Sequence, residues 1–199
     1  MTPAQFSQRP VEAIVIGASV GGVEALSVLL PALPAGFDAS ILIVLHLPRE
    51  VPSMLVEIFR HKCALPVREA EDKEPVKPGT VYFAPSDYHL LVDEGPRVAL
   101  SVDDPVNFSR PSIDVLFESA ADIFAERLLG IVLTGASHDG ARGLEAVYRA
   151  GGMTMVQEPE SAQASLMPRS ALQHVSVDCV LSLEQMAGQL RLLEKRSAG

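Results

Sequence analysis

Three residues of the types that build an acyl-transfer site stand at comparable points along the chain: Ser19, His46 and Asp139. Ser19 lies in Gly17-Ala18-Ser19-Val20-Gly21-Gly22, between an apolar run and the first helical pattern. Glycine on both sides lets the backbone turn sharply from strand to helix, which lifts the hydroxyl clear of the strand end. The helix that follows offers unpaired N–H groups and a positive dipole end beside it. Gly-x-Ser-x-Gly in that setting is the nucleophile-elbow pattern. Two other uses compete. A dinucleotide-binding turn wants glycine at the second position of Gly-x-Gly-x-x-Gly, and Ser19 stands there, so that match is broken. A serine at this point also serves simply as an N-cap.

A serine is a weak nucleophile without a base, and the base needs a group to orient it. Of the five histidines, His46 directly follows Ile41-Leu42-Ile43-Val44-Leu45, so it sits at the carboxyl end of a second buried strand. His138 is its main rival. His61 and His174 read as surface residues, the latter in a polar turn, and His89 as a structural hydrogen-bonding residue. The third group comes from Thr134-Gly135-Ala136-Ser137-His138-Asp139-Gly140, after a run ending at Leu133. Asp139 is placed to orient an imidazole and equally to N-cap the next helix. One carboxylate oxygen can do each.

The elements that must position these groups alternate. Buried strands are predicted at Glu12–Ala18, Ser40–Leu45, Leu129–Leu133, Met153–Val156 and Val177–Val180. Helices are predicted at Gly22–Leu30, ended by Pro31, and at Ser53–His61, Pro111–Glu126, Gly140–Ala150 and Leu183–Leu193. Ser112 is a plausible cap for the third of these. Between them, Pro66–Arg68, Thr80–Ala84, Tyr88–Val92 and Val98–Val102 read as short strands of an antiparallel excursion or hairpin set. Alternation at both ends implies an α/β fold whose mainly parallel, doubly wound sheet is covered on both faces. Residues 1–10 read as a disordered lead, and 11–199 as one domain.

Composition excludes several classes. The 199 residues are 48% apolar and 21% charged, a globular balance for one domain of ordinary size. No apolar run approaches the roughly 20 residues that span a bilayer, so membrane insertion is not expected. A net charge of −9 disfavours nucleic acid, whose binding needs a basic footprint. The start lacks the apolar core of a signal peptide. Cys63 and Cys179 share no metal-ligand spacing and read as reduced core thiols, which points to the cytoplasm. No metal and no cofactor is expected.

Beyond these separate signals, the chain resembles the catalytic domain of the bacterial chemotaxis protein-glutamate methylesterases, the CheB type. The resemblance runs from Val11 to about Leu193. It rests on the Gly17–Gly22 turn, His46-Leu47-Pro48, Ala84-Pro85-Ser86-Asp87-Tyr88-His89, Arg110-Pro111-Ser112-Ile113-Asp114-Val115-Leu116-Phe117, Leu133-Thr134-Gly135 with Asp139-Gly140, and Met167-Pro168-Arg169. It implies a three-layer α/β sandwich and a triad of Ser19, His46 and Asp139, favouring His46 over His138. It also implies removal of methyl groups from glutamate methyl esters of chemoreceptor-type signalling proteins. Glutamine deamidation or small-ester hydrolysis at the same site is the nearest alternative, and a non-catalytic interaction domain the more distant one.

The chain departs from the family pattern at the oxyanion positions. Val20 stands where members often carry threonine, and Ala136-Ser137 where Met-Gly is usual. Loss of a threonine hydroxyl from an oxyanion hole costs on the order of 10²-fold in rate by analogy with other donors. The backbone N–H groups of Val20 and Ala136 are the expected replacements. Arg110 and Arg169 are the candidate cations for guiding an acidic receptor helix. The matched region leaves no space for the amino-terminal receiver domain usual in this family. The expectation is therefore a stand-alone catalytic domain, constitutively open or regulated by a separate partner such as a response regulator.

Overall fold

The structure, a computed structural model, describes residues 9–47 and 54–193. Seven strands form one sheet: β1 (Ala13–Ala18), β2 (Ser40–Leu45), β3 (Val67–Glu69), β4 (Val81–Phe83), β7 (Leu128–Val132), β8 (Met153–Gln157) and β9 (Cys179–Leu181). Their order is β3-β4-β2-β1-β7-β8-β9, and each neighbouring pair is parallel. The remaining strands, β5 (His89–Asp93) and β6 (Arg97–Ser101), make a separate antiparallel hairpin. Six α-helices complete the described residues: α1 (Gly22–Leu29), α2 (Leu55–Arg60), α3 (Ile113–Phe124), α4 (Ala141–Arg149), α5 (Leu166–His174) and α6 (Leu183–Leu193).

Strands β1, β2, β7 and β8 are buried at every position, which is why they read as continuous apolar runs rather than alternating ones. Their side chains still alternate between faces. Ile14, Ile16, Ile41 and Ile43 point to one face, where Leu26 and Leu29 of α1, Phe59 of α2 and Leu190 of α6 cover them. Ala13, Val15, Leu42 and Val44 point to the other, against Phe117 of α3, Leu144 and Val147 of α4 and Ala171 of α5. Each of the larger side chains among these, Val, Leu, Ile or Phe, contributes roughly 1.5–3 kcal/mol when fully buried. The result is the three-layer, doubly wound sandwich.

The structure divides the four short middle strands differently from the sequence reading. Only β5 and β6 are antiparallel; β3 and β4 extend the parallel sheet beyond β2. The reason lies in burial, since Val81, Tyr82 and Phe83 are all enclosed, so β4 is an interior strand. A second correction is α5. Pro168 occupies the first turn of this helix, where its missing N–H is harmless. His174 is therefore the last residue of a helix rather than part of a turn. A third is smaller: Pro31 does not end the helical path after α1, because Leu30–Ala32 continue it as one 3-10 turn.

Other boundaries agree within a few residues. The expected lead lies outside the described residues except for Arg9 and Pro10, and so does the expected helix start at Ser53. Among the described residues no helix is long and apolar enough to cross a membrane. Cys63 and Cys179 are unpaired and half-buried against the core. Burial pushes the Cys63 thiol up to about 11.

Candidate active site

The three residues singled out for chemistry lie at the carboxyl ends of three adjacent strands, β1, β2 and β7. Ala18 pairs in register with Leu45, so Ser19 and His46 are the next residues along two parallel paths. The His46 N–H donates to Ala18 O at 3.0 Å, and the Ser19 N–H to Thr134 O at 3.0 Å. The chain runs from β1 to β2 on one side and later returns to β7 on the other. The Ser19 turn thus sits where the winding of the sheet reverses, the usual ligand-binding crevice of open α/β sheets.

His46 Nε2 lies 3.0 Å from Asp139 Oδ2, with the imidazole 14% exposed and the carboxylate fully enclosed. Burial alone raises the pKa of Asp139. Hydrogen bonds from His46, Asn107 and the Ile113 N–H outweigh it, and the net effect is a carboxyl held below its ordinary value. An ionised Asp139 can only accept, which places the imidazole proton on Nε2 and leaves the Nδ1 lone pair available.

Asp139 is not the N-cap of its own helix. Gly140 occupies that position with φ 98°, a left-handed geometry that suits glycine. Instead Asp139 reaches across to α3. Its Oδ2 accepts from the Ile113 N–H at 2.6 Å, and its Oδ1 from the Asp114 N–H at 3.2 Å and the Ser112 hydroxyl at 2.9 Å. Asp114 returns the arrangement, its Oδ1 accepting from the Gly140 and Gly143 N–H groups of α4 at 2.9 and 2.7 Å. Each helix start is therefore capped by the other's carboxylate, which satisfies N–H groups that would otherwise be buried without partners.

Asn107 ties the two acids together, donating from Nδ2 to Asp139 Oδ1 at 2.7 Å and to Asp114 Oδ2 at 2.8 Å. Burial, and less strongly the charge of Asp139, push the Asp114 carboxyl up. Sequence reading missed both residues. Asp114 stands in the sequence only as part of the Arg110–Phe117 motif, and Asn107 carries no local signal.

Thr134 joins the serine turn to the loop before α5. Its hydroxyl donates to Val20 O at 2.8 Å and accepts from the Ala164 N–H at 2.9 Å, while its own N–H donates to Gln157 Oε1 at 2.9 Å. The N–H groups of Ser19 and Gly135 are committed to Thr134 O and Ala164 O. Val20 and Ala136 supply the next N–H in each turn, and both residues are exposed. Gly135 is required by crowding: a Cβ there would overlap Met167 Sδ and lie 2.9 Å from Ser19 Cβ.

The remaining candidates have partners of their own. His138 Nδ1 pairs with Ser170 Oγ at 2.8 Å, so Asp139 holds His46 and not its rival. His89 is buried between Asp104 O and the Ser112 N–H, a structural role as expected. His61 and His174 are exposed. Arg110 donates to Val102 O and Asp103 O and lies 3.8 Å from Asp87. Arg169 pairs with Glu160 at 2.8 Å. Both arginines thus hold loops of the protein itself. Among the described residues no group of three or more His, Cys, Asp or Glu side chains is arranged to hold a metal.

A parallel sheet with a glycine-flanked serine at one strand end and a carboxylate-held imidazole beside it defines a hydrolase-type α/β protein. Comparison with known proteins gives the family. The profile described as CheB methylesterase matches residues 14–190, and the chain belongs to that family. A Leptospira interrogans protein is 47% identical over 176 residues, which is 88% of this chain and 91% of its own length. The Salmonella typhimurium protein-glutamate methylesterase/protein-glutamine glutaminase is 40% identical over 189 residues, 94% of this chain. The chain spans about half of that longer relative, 53% of its length. The crystal structure of the Thermotoga maritima CheB methylesterase catalytic domain superposes with a TM-score of 0.87 at 34% identity, over 92% of this chain and 98% of that one.

Proposed function

We propose that the chain is a protein-glutamate methylesterase that removes methyl groups from glutamyl esters of chemoreceptor-type signalling proteins. The observation that carries this reading is the His46–Asp139 pair at 3.0 Å, set one strand away from the Ser19 turn. His46 Nδ1 takes the Ser19 proton as Ser19 Oγ forms a bond to the ester carbonyl carbon. The oxyanion is held by the N–H groups of Val20 and Ala136. As the C–O bond breaks, the imidazolium returns its proton to methoxide and methanol leaves. Water, deprotonated by the same nitrogen, then cleaves the acyl-serine and releases the glutamate carboxylate. Asp139 fixes the tautomer and stabilises the imidazolium.

The names of the relatives support a second reading, deamidation of glutamine, in which ammonia replaces methanol as the leaving group. Both begin with the same acyl-serine. The setting is the cytoplasm, where a methylated receptor is the substrate and a separate response regulator a candidate controller. The test is methanol release from a methylated receptor fragment. Ser19→Ala is expected to lower it by on the order of 10⁴-fold or more, and a variant that still released methanol at the parent rate would sink the mechanism. Ammonia measured in parallel apportions the two reactions.

A further inference from the structure

Downstream of the β5–β6 hairpin, residues Val106 to Ser109 close a tight turn through two backbone hydrogen bonds, Val106 N–H to Ser109 O at 3.1 Å and Ser109 N–H to Val106 O at 2.9 Å. The two central residues, Asn107 and Phe108, have φ of 51° and 62°. Successive left-handed residues suit a type I′ turn, which favours asparagine and then glycine. Asn107 fits. Phe108 does not, since a bulky side chain at positive φ is strained.

The same side chain is 98% exposed, so it gains nothing from the core in return. Strain and exposure together mean that Phe108 contributes nothing to folding that glycine would not supply better. Its position is nevertheless fixed, because Asn107 beside it is bonded to Asp139 and Asp114. The turn is thus pinned to the orienting carboxylate and throws an aromatic ring into solvent. Other exposed apolar side chains stand close in the chain to site residues: Val20 follows Ser19, and Leu166 precedes the Met167 that packs against Gly135. Val102, also exposed, is held to the Phe108 segment by Arg110.

We infer that Phe108 is the docking point for the segment of the protein substrate that carries the ester. The occupant is a stretch of the methylated protein that presents an apolar side chain beside the neutral glutamyl ester. Exposed Asp103 and Asp104 in the same segment repel a face of free carboxylates, so the esterified form fits this rim better than its product. The inference rests on the methylesterase reading and adds to it the contact that distinguishes a protein substrate from a free ester. Aromatic side chains, phenylalanine among them, are enriched where protein interfaces are most buried.

The test compares the wild-type chain with Phe108→Gly on a methylated receptor fragment and on a small methyl ester. Glycine relaxes the positive φ, so the variant is expected to melt no lower than the parent, and misfolding does not explain its loss. The ratio of receptor to small-ester kcat/KM is expected to fall roughly tenfold, mostly through KM, the effect of losing one buried aromatic contact. Phe108→Leu should recover much of it. Asn107→Ala, which loosens Asp139, should instead lower kcat on both esters alike. An unchanged ratio in Phe108→Gly overturns the inference while leaving the methylesterase reading intact. Wild-type protein that released no methanol from the receptor would overturn both.

Discussion

The turn that carries Ser19 and the turn that carries Asp139 hold their functional groups by opposite means. Around Ser19 the work is done by close backbone approach. Its N–H meets Thr134 O, Gly135 leaves room for its Cβ, and neighbouring glycines let the chain crowd together. Around Asp139 the work is done by polar side chains and helix ends, with Asn107, Ser112, Ile113 and Asp114 all converging on one carboxylate. The first region is specified by what is missing, the second by what is present. The nucleophile proposed at Ser19 needs space on one side, whereas a buried carboxylate in a dry site needs every lone pair occupied.

Substitutions in the two turns should therefore fail differently. The largest effect is expected from Asp139→Asn, which removes the charge that fixes the His46 tautomer and puts an amide where donors converge. Turnover should drop by about 10⁴-fold, and the melting temperature should fall well below that of Ser19→Ala. Equal melting temperatures for the two variants would erase the contrast between the regions. Next is Gly135→Ala. Its new methyl displaces Met167 or Ser19, and a shift of about 1 Å in the proposed nucleophile is expected to cost on the order of 10²-fold in kcat, read from ester hydrolysis on protein that still folds.

The smallest expected effect is one of pH. Burial and the nearby Asp139 raise the Asp114 pKa, so the folded state binds that proton more tightly than the unfolded chain. Its contribution to stability is full below the unfolded value and is lost as pH rises through the folded one. Asp139 runs the other way: with a lowered folded value, its contribution is present above the unfolded value and lost as pH falls through the folded one. Urea denaturation from pH 4 upward should show Asp114→Asn with a flatter dependence than the parent. Parallel curves would remove the Asp114 charge from the account of this joint.

What the sequence revealed follows the same division. The serine turn was legible because its determinants, Gly17, Gly21 and Gly22, are its neighbours in the chain. The strand ends were legible because β1, β2 and β7 are uninterrupted apolar runs. Asp139 is legible by position, but the helix it caps is not, since its bonds to α3 and the turn before it reach back 25 to 32 residues and no local pattern encodes them. The roles of Asn107 and Asp114 are hidden in the sequence for the same reason. The parallel placement of β3 and β4 escaped notice because a three-residue strand carries too little periodicity to declare its neighbour.

The exchange of caps between α3 and α4 has an evolutionary corollary. An acid that fastens two helices together is retained by selection on folding as well as on turnover. The hydroxyl of Ser19 takes no part in that fastening. Descendants of this fold that abandon catalysis should then keep the aspartate as a relic while the serine drifts. For the same reason, a substrate-trapping variant is better made at the serine than at the acid.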